Sequence, residues 1–267
     1  MSSTTPQSHI LILGSGIVGS ALAHTLSLSP SLTTTTKITV LSPPLSQKST
    51  STSLAPGLVG QLNALPALTS LAKSSVSTYL TLSLPSGGFS QTGGLEIAST
   101  AEGIKTLEER AEQAREAGLE ARLLSSEEVA GLAPQFHDVD GVSKGLYFPS
   151  DGVAEPERIV EAFQTSARSR GVEFLEGSAQ SIVHSAGVVT GVQTPNGFIG
   201  ASKVIVASGI WSASLLKGLL HLPVIPVAHP YIYGPSRPAR EKKTPFIRWP
   251  EKMVYARDHG ECEGFGT

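Results

Sequence analysis

Gly14, Gly16 and Gly19 have the spacing Gly-x-Gly-x-x-Gly and follow directly on the apolar run His9-Ile10-Leu11-Ile12-Leu13. The chemistry this suits is recognition of a dinucleotide. Gly14 permits a tight turn, Gly16 lacks a Cβ so that backbone can approach a pyrophosphate, and Gly19 lets a helix pack close to the strand. The helix that starts there offers unpaired N–H groups and the positive end of its dipole to phosphate. Ser42, followed by Pro43 and Pro44, stands at the end of the next expected strand, where an Asp or Glu usually accepts from the adenosine ribose. The first acid of the chain is Glu96, so no near neighbour in sequence replaces it. Two routes stay open: weaker hydroxyl or backbone bonds hold the ribose, or the ligand carries a 2′-phosphate beside Lys48. His24, His137, His184 and His221 lack metal-ligand spacing, so no metal is expected. Ser208 lies in Ala-Ser-Gly and lacks the Gly-x-Ser-x-Gly setting of a hydrolase nucleophile.

The elements that must position these groups can be read coarsely. Residues 9–13 and 37–41 read as buried strands around the helix that begins with Ser20-Ala21-Leu22-Ala23. Residues 62–84 read as mainly helical, broken by Pro66. Gly93-Gly94 reads as a turn between two short strands. Thr100 caps a charged helix to about Ala117, closed by Gly118, and Ser125-Ser126-Glu127-Glu128 is a capping box. Pro156 opens a helix to Arg170. Strands follow at 172–175, 179–184, 188–194 and 203–206, with Asn196-Gly197 as a hairpin turn. The chain is β-rich from Pro223 onward. The expected fold is α/β. A discontinuous Rossmann-like dinucleotide domain comprises 1–60 and 152–215. A partial helical and β-rich (α+β) substrate-side region comprises 61–151 and 216–267, incomplete at its C-terminus.

Composition excludes several functions. The chain has 267 residues, 40% hydrophobic and 16% charged, with a net charge of −2. It is too apolar for a disordered chain and too neutral for a nucleic-acid binder. One cysteine, Cys262, rules out a disulfide framework. Residues 1–95 hold three lysines and no acid. The uncharged stretch 10–29 has the length of a membrane span, but glycines and polar residues interrupt it and no basic region precedes it. The expectation is a cytoplasmic protein without a membrane partner, with mitochondria left open.

Further stretches, in order, resemble one family. They are Ser51-Thr52-Ser53-Leu54-Ala55-Pro56-Gly57-Leu58-Val59, Gly93-Gly94-Leu95-Glu96-Ile97-Ala98 and Gly145-Leu146-Tyr147-Phe148-Pro149-Ser150-Asp151-Gly152. Val188-Val189-Thr190-Gly191-Val192-Gln193, Val204-Ile205-Val206-Ala207-Ser208-Gly209-Ile210-Trp211, Pro226-Val227-Ala228-His229-Pro230-Tyr231 and Tyr255-Ala256-Arg257-Asp258-His259-Gly260 follow. With the glycine motif they resemble the FAD-dependent amine oxidoreductases of the D-amino-acid oxidase superfamily. Within it they are most similar to the dimethylglycine oxidase/dehydrogenase and sarcosine dehydrogenase group.

The resemblance implies FAD, with pyrophosphate over Gly14, Gly16, Ile17, Val18 and Gly19. Ser42 would lie near the ribose, and Thr52, Ser53, Leu54, Ala55, Gly57 and Leu58 would approach the flavin. Ala179 would lie near the adenine, with Ala207, Gly209 and Trp211 closing over the cofactor. It implies oxidation of the C–N bond of a secondary or tertiary amine, sarcosine or dimethylglycine for example, by hydride transfer to flavin N5. His229 and Tyr255 fall where the family places polar groups facing substrate. His229 has a side chain whose ordinary pKa, about 6.5, suits proton transfer near neutrality. Arg248 or Arg257 would pair with a substrate carboxylate. Three departures stand out. Ser42 replaces the ribose acid; Leu54 replaces the histidine that carries covalent flavin, so FAD would be held non-covalently; and the sequence stops at Thr267, where the family's FAD domain continues. The competing expectations are a truncated or degenerate relative with little activity, which would have exposed sheet edges and low stability, and an NADP-dependent reductase.

Overall fold

A computed structural model describes residues 8–44, 50–82, 88–136 and 144–267. In chain order the elements are β1 (Ser8–Leu13), α1 (Ile17–Ser27), α2 (Pro30–Thr35), β2 (Thr36–Ser42), β3 (Leu58–Val59), α3 (Pro66–Thr81), β4 (Phe89–Ser90), β5 (Gly94–Ala98), α4 (Ala101–Glu116), β6 (Arg122–Ser125), α5 (Ser126–Leu132), β7 (Lys144–Phe148), β8 (Gly152–Ala154) and α6 (Pro156–Arg168). β9 (Glu173–Glu176), β10 (Ser181–Ser185), β11 (Val188–Thr194), β12 (Gly197–Gly200), β13 (Lys203–Val206), α7 (Ser212–Leu215), β14 (Tyr231–Tyr233), β15 (Phe246–Trp249), β16 (Val254–Asp258) and β17 (Glu263–Gly266) follow. The chain divides into two compact units, one of residues 1–55 and 156–227, the other of 56–155 and 228–267.

The first unit is built on a parallel sheet in the order β13-β1-β2-β9. Its central strands are apolar because both faces are covered: Ile10, Leu11, Ile12, Leu13, Ile38, Val40 and Leu41 are all buried. This burial accounts in part for the lack of acids in residues 1–95. α1 turns its small residues Gly19, Ser20 and Ala23 inward and packs on α6, whose Ile159, Val160, Phe163 and Ala167 are buried. His24 is part of that interface, 2.9 Å from Ser166 Oγ through Nδ1 and tilted against Phe163. Burial, aided by Arg170, lowers its pKa. β10-β11-β12 form a separate antiparallel sheet. α2 was not expected from a run of threonines. Pro30 at its first turn presets the helical φ, and the hydroxyls of Thr33, Thr34 and Thr35 donate to carbonyls one turn back.

The second unit holds a seven-stranded mixed sheet, β14-β17-β16-β15-β5-β7-β6, and a small sheet, β3-β8-β4. Leu95, Ile97, Ile247 and Ala256 form one core with Val129 of α5. On the opposite face Ala98, Leu146 and Phe148 pack with Leu107 and Ala114 of α4. Thr100 caps α4, and Ser125 and Glu128 make both halves of the capping box. One expectation is corrected: Pro66 opens α3 as its first residue, with no helix before it. Gly93 lies between two short strands as expected, and these join different partners, β4 with β8 and β5 with β7 and β15. Among the described residues no helix is long and apolar enough to cross a membrane.

Candidate functional site

The glycine turn of the first unit is fixed by the strand ends around it. Gly14 N–H donates to Leu41 O at 2.9 Å, and Ala207 N–H and Ser208 Oγ both reach Leu13 O. Ser15 O accepts from Ser20 Oγ and from Gln164 of α6. The three glycines have different reasons to be glycine. Gly14 has φ +109, and a Cβ there would collide with Ala207 O. A Cβ on Gly19 would collide with Gly14 O. Gly16 is under neither constraint. Its φ is −66, and a Cβ would meet only the Thr52 side chain, with Oγ1 at 3.0 Å. Neither its dihedral angles nor neighbouring backbone account for its missing side chain.

The first turn of α1 carries no side-chain cap. Ser20 N–H bonds Gly16 O, and of the three N–H groups before it Ile17 donates to Thr52 Oγ1 at 3.1 Å. Among the described residues that hydroxyl donates to no acceptor and the N–H groups of Val18 and Gly19 have none, so all three could donate to an anion. Val18 is exposed, as is Leu54 in the turn that Thr50 and Ser53 close. These donors, an open glycine and a helix dipole fit a pyrophosphate, so the residues expected to carry FAD phosphate are suited to it. Ser42 ends β2 and spends its hydroxyl proton on Pro43 O. Ala179 packs on the core beneath β9–β11, and Gly209 and Trp211 form the short turn after β13. Ala55 is exposed; Gly57 and Leu58 belong to the second unit, where Gly57 O accepts from Ala154. Lys48 and His137 lie outside the described residues.

In the second unit, strand register gathers side chains that the sequence scatters. Tyr231 pairs with Gly266, Gly266 with Tyr255, Tyr255 with Arg248, Arg248 with Glu96, and Glu96 with Leu146. Register partners share a face, so these residues form one row across the sheet. Gly266 makes the row possible, because a Cβ there would enter the Tyr255 ring. The rings of Tyr231 and Tyr255 stack over it, 6.1 Å apart.

A cavity of about 440 Å³ opens on this row, lined among others by Glu96, Arg110, Arg248, Trp249 and Tyr255. Glu96 is buried and held by both arms of Arg110, at 2.6 and 2.8 Å. Arg248 lies over the Phe246 ring and, among the described residues, makes no hydrogen bond or ion pair. Arg257 differs. It is 3% exposed and donates to Pro56 O, Ala154 O and Glu155 Oε1. Of the two arginines considered for a substrate carboxylate, only Arg248 is available. Near it, Asp151 is buried and accepts through Oδ1 from Gln61. Burial pushes its carboxyl up to about 6, against the pull of Gln61 and Arg248.

His229 is exposed, two residues before β14, with Nδ1 2.7 Å from Thr267 O. It does not line the cavity of Arg248 and Tyr255. Tyr231 hydroxyl meets His259 Nε2 at 2.7 Å, and burial holds that imidazole below its ordinary pKa. Sequence reasoning missed Glu96, Asp151 and the role of the Thr52 hydroxyl. None of them carries a local signal, since each acquires its setting from partners far along the chain.

The family model described as FAD dependent oxidoreductase (DAO) matches residues 9–262. Rat (Rattus norvegicus) mitochondrial dimethylglycine dehydrogenase is 29% identical over 185 residues, which is 67% of this chain and 21% of that protein. The 4-methylaminobutanoate oxidase (formaldehyde-forming) of Paenarthrobacter nicotinovorans is 26% identical over 252 residues, 92% of this chain and 30% of that protein. The chain thus spans about a fifth to a third of the length of the curated relatives it matches. The crystal structure of L-proline dehydrogenase from P. horikoshii shares the fold with a TM-score of 0.85 at 23% identity, covering 97% of this chain and 69% of that one. Glycine oxidase from Bacillus cereus gives a TM-score of 0.78 at 22% identity, covering 97% and 71%.

Proposed function

This chain belongs to the FAD-dependent oxidoreductase family, and from that premise we propose that it binds FAD without a covalent bond and oxidises the C–N bond of a small amine that carries a carboxylate, of the N-methylglycine type. The observation that carries this reading is Gly16, the one glycine of the turn that neither its dihedral angles nor neighbouring backbone require. FAD, when bound, supplies the acceptor for the two electrons lost beside the amine nitrogen.

The other contributions come from the chain. Val18 and Gly19 N–H and the Thr52 hydroxyl would hold the pyrophosphate. Leu54 offers no nucleophile, which supports non-covalent attachment. Arg248, the guanidinium on the cavity that makes no ion pair among the described residues, would bind the substrate carboxylate by a two-pronged contact, and Tyr255 beside it would orient the substrate. A degenerate relative with little activity is the second reading, favoured by the engagement of Ser42 with Pro43.

The test is anaerobic mixing of the FAD-loaded chain with sarcosine, dimethylglycine and, as control, dimethylamine. Bleaching of the flavin band by the two carboxylate-bearing amines alone is expected. Bleaching by none of them would leave the second reading standing, and equal bleaching by dimethylamine would remove the carboxylate from the proposal.

A further inference from the structure

We infer that Glu176 does what Ser42 cannot: its carboxylate accepts the hydroxyls of the adenosine ribose of FAD. This rests on the FAD reading above and adds the residue that completes the adenosine end. The acid missing from the end of β2 is missing only along the sequence. β9 lies beside β2 and runs parallel to it, and the register sets Glu176 directly opposite Ser42. Gly177 N–H then closes on Ser42 O at 3.1 Å. Partners in adjacent strands lie about 4.8 Å apart and project to the same face, so Glu176 presents its carboxylate one strand over from the expected position, at the same carboxyl edge of the sheet.

Elimination supports the choice. Residues 1–55 and 156–227 contain four acids: Glu157, Glu161, Glu173 and Glu176. Glu157 and Glu161 are on α6. Glu173 is paired with Lys37 at 2.8 Å and also accepts from Thr39. Glu176 is exposed and, among the described residues, has no hydrogen-bond or ion-pair partner. A carboxylate with two free oxygens matches a vicinal diol, each hydroxyl donating to one oxygen. The same charge would repel a 2′-phosphate, so this edge favours FAD over NADPH.

The experiment measures dissociation constants by quenching of flavin fluorescence. The ligands are FAD and the FAD analogue with 2′-deoxyadenosine; the proteins are the wild-type chain, Glu176→Ala and the exchange Ser42→Glu/Glu176→Ser. For the wild type, loss of the hydroxyl should weaken binding about tenfold, the usual size for a hydrogen bond to a charged group. Glu176→Ala should bind FAD about tenfold more weakly than the wild type and no longer distinguish the two ligands, and the exchange should restore both properties. Wild-type discrimination retained in Glu176→Ala would overturn the assignment while leaving the FAD reading intact. A wild-type chain that quenches neither ligand would overturn the FAD reading and this inference with it.

Discussion

Arg248 and Arg257 sit on paired strands, and their surroundings separate them. Every polar arm of Arg257 is directed at a carbonyl or at Glu155, and the side chain is buried. Arg257→Ala should therefore act on stability, costing about 3 kcal/mol in urea unfolding because three acceptors lose their donor. Arg248→Ala should act on substrate. KM for a carboxylate-bearing amine is expected to rise by about 10- to 100-fold, with the midpoint of unfolding unchanged; an unaltered KM would remove Arg248 from the site. Asp151 adds a pH dependence. Its carboxyl moves from 3.8 when unfolded to about 6 when folded. Below 3.8 both states are protonated. Between the two values the folded chain keeps a proton that the unfolded chain has lost, so stability falls as pH rises and levels off above about 6. The full fall is about 3 kcal/mol. Asp151→Asn keeps an acceptor for Gln61 and should flatten that slope in unfolding titrations; an unchanged slope would place its origin elsewhere.

At the scale of elements, the turn before α1 makes a paired prediction. Gly19→Ala drives a Cβ into Gly14 O and should cost about 1–3 kcal/mol of stability by overpacking. Gly16→Ala meets only a hydroxyl, at 3.0 Å, and replaces a favourable N-cap residue, so stability should fall by less than in Gly19→Ala, about 0.5–1 kcal/mol, while FAD affinity falls. Equal losses of stability in both variants, read by thermal melting, would show that Gly16 serves the fold alone. This turn was legible in the sequence because strand, glycines and helix are consecutive and local spacing contains the whole device. The caps at Thr100 and Ser125 were legible for the same reason. α2 was not, because Thr33, Thr34 and Thr35 favour extended structure individually, while Pro30 presets the first turn and the hydroxyls donate to carbonyls one turn back. The turn at Gly93 was legible too, but not that its two flanking strands join different sheets. The row Tyr231–Gly266–Tyr255–Arg248–Glu96 and the pairing of Ser42 with Glu176 depend on register between distant strands. No local pattern encodes that register.

For the whole molecule, the absence of acids in residues 1–95 has a structural explanation in part: β1 and β2 are buried on both faces and α1 packs by small residues. A ligand that binds only the folded chain should stabilise it by about 2.7 kcal/mol when present at a hundred times its dissociation constant. FAD at that excess should therefore raise the melting temperature, and NADPH should not; the reverse order would favour a pyridine-nucleotide site. The most direct test of the account is the absorbance spectrum of the purified chain after incubation with FAD, removal of unbound cofactor and precipitation with acid. Flavin bands are expected on the protein before acid and in the supernatant after it. A colourless chain would contradict flavin binding, and colour that stays with the precipitate would contradict non-covalent attachment at Leu54.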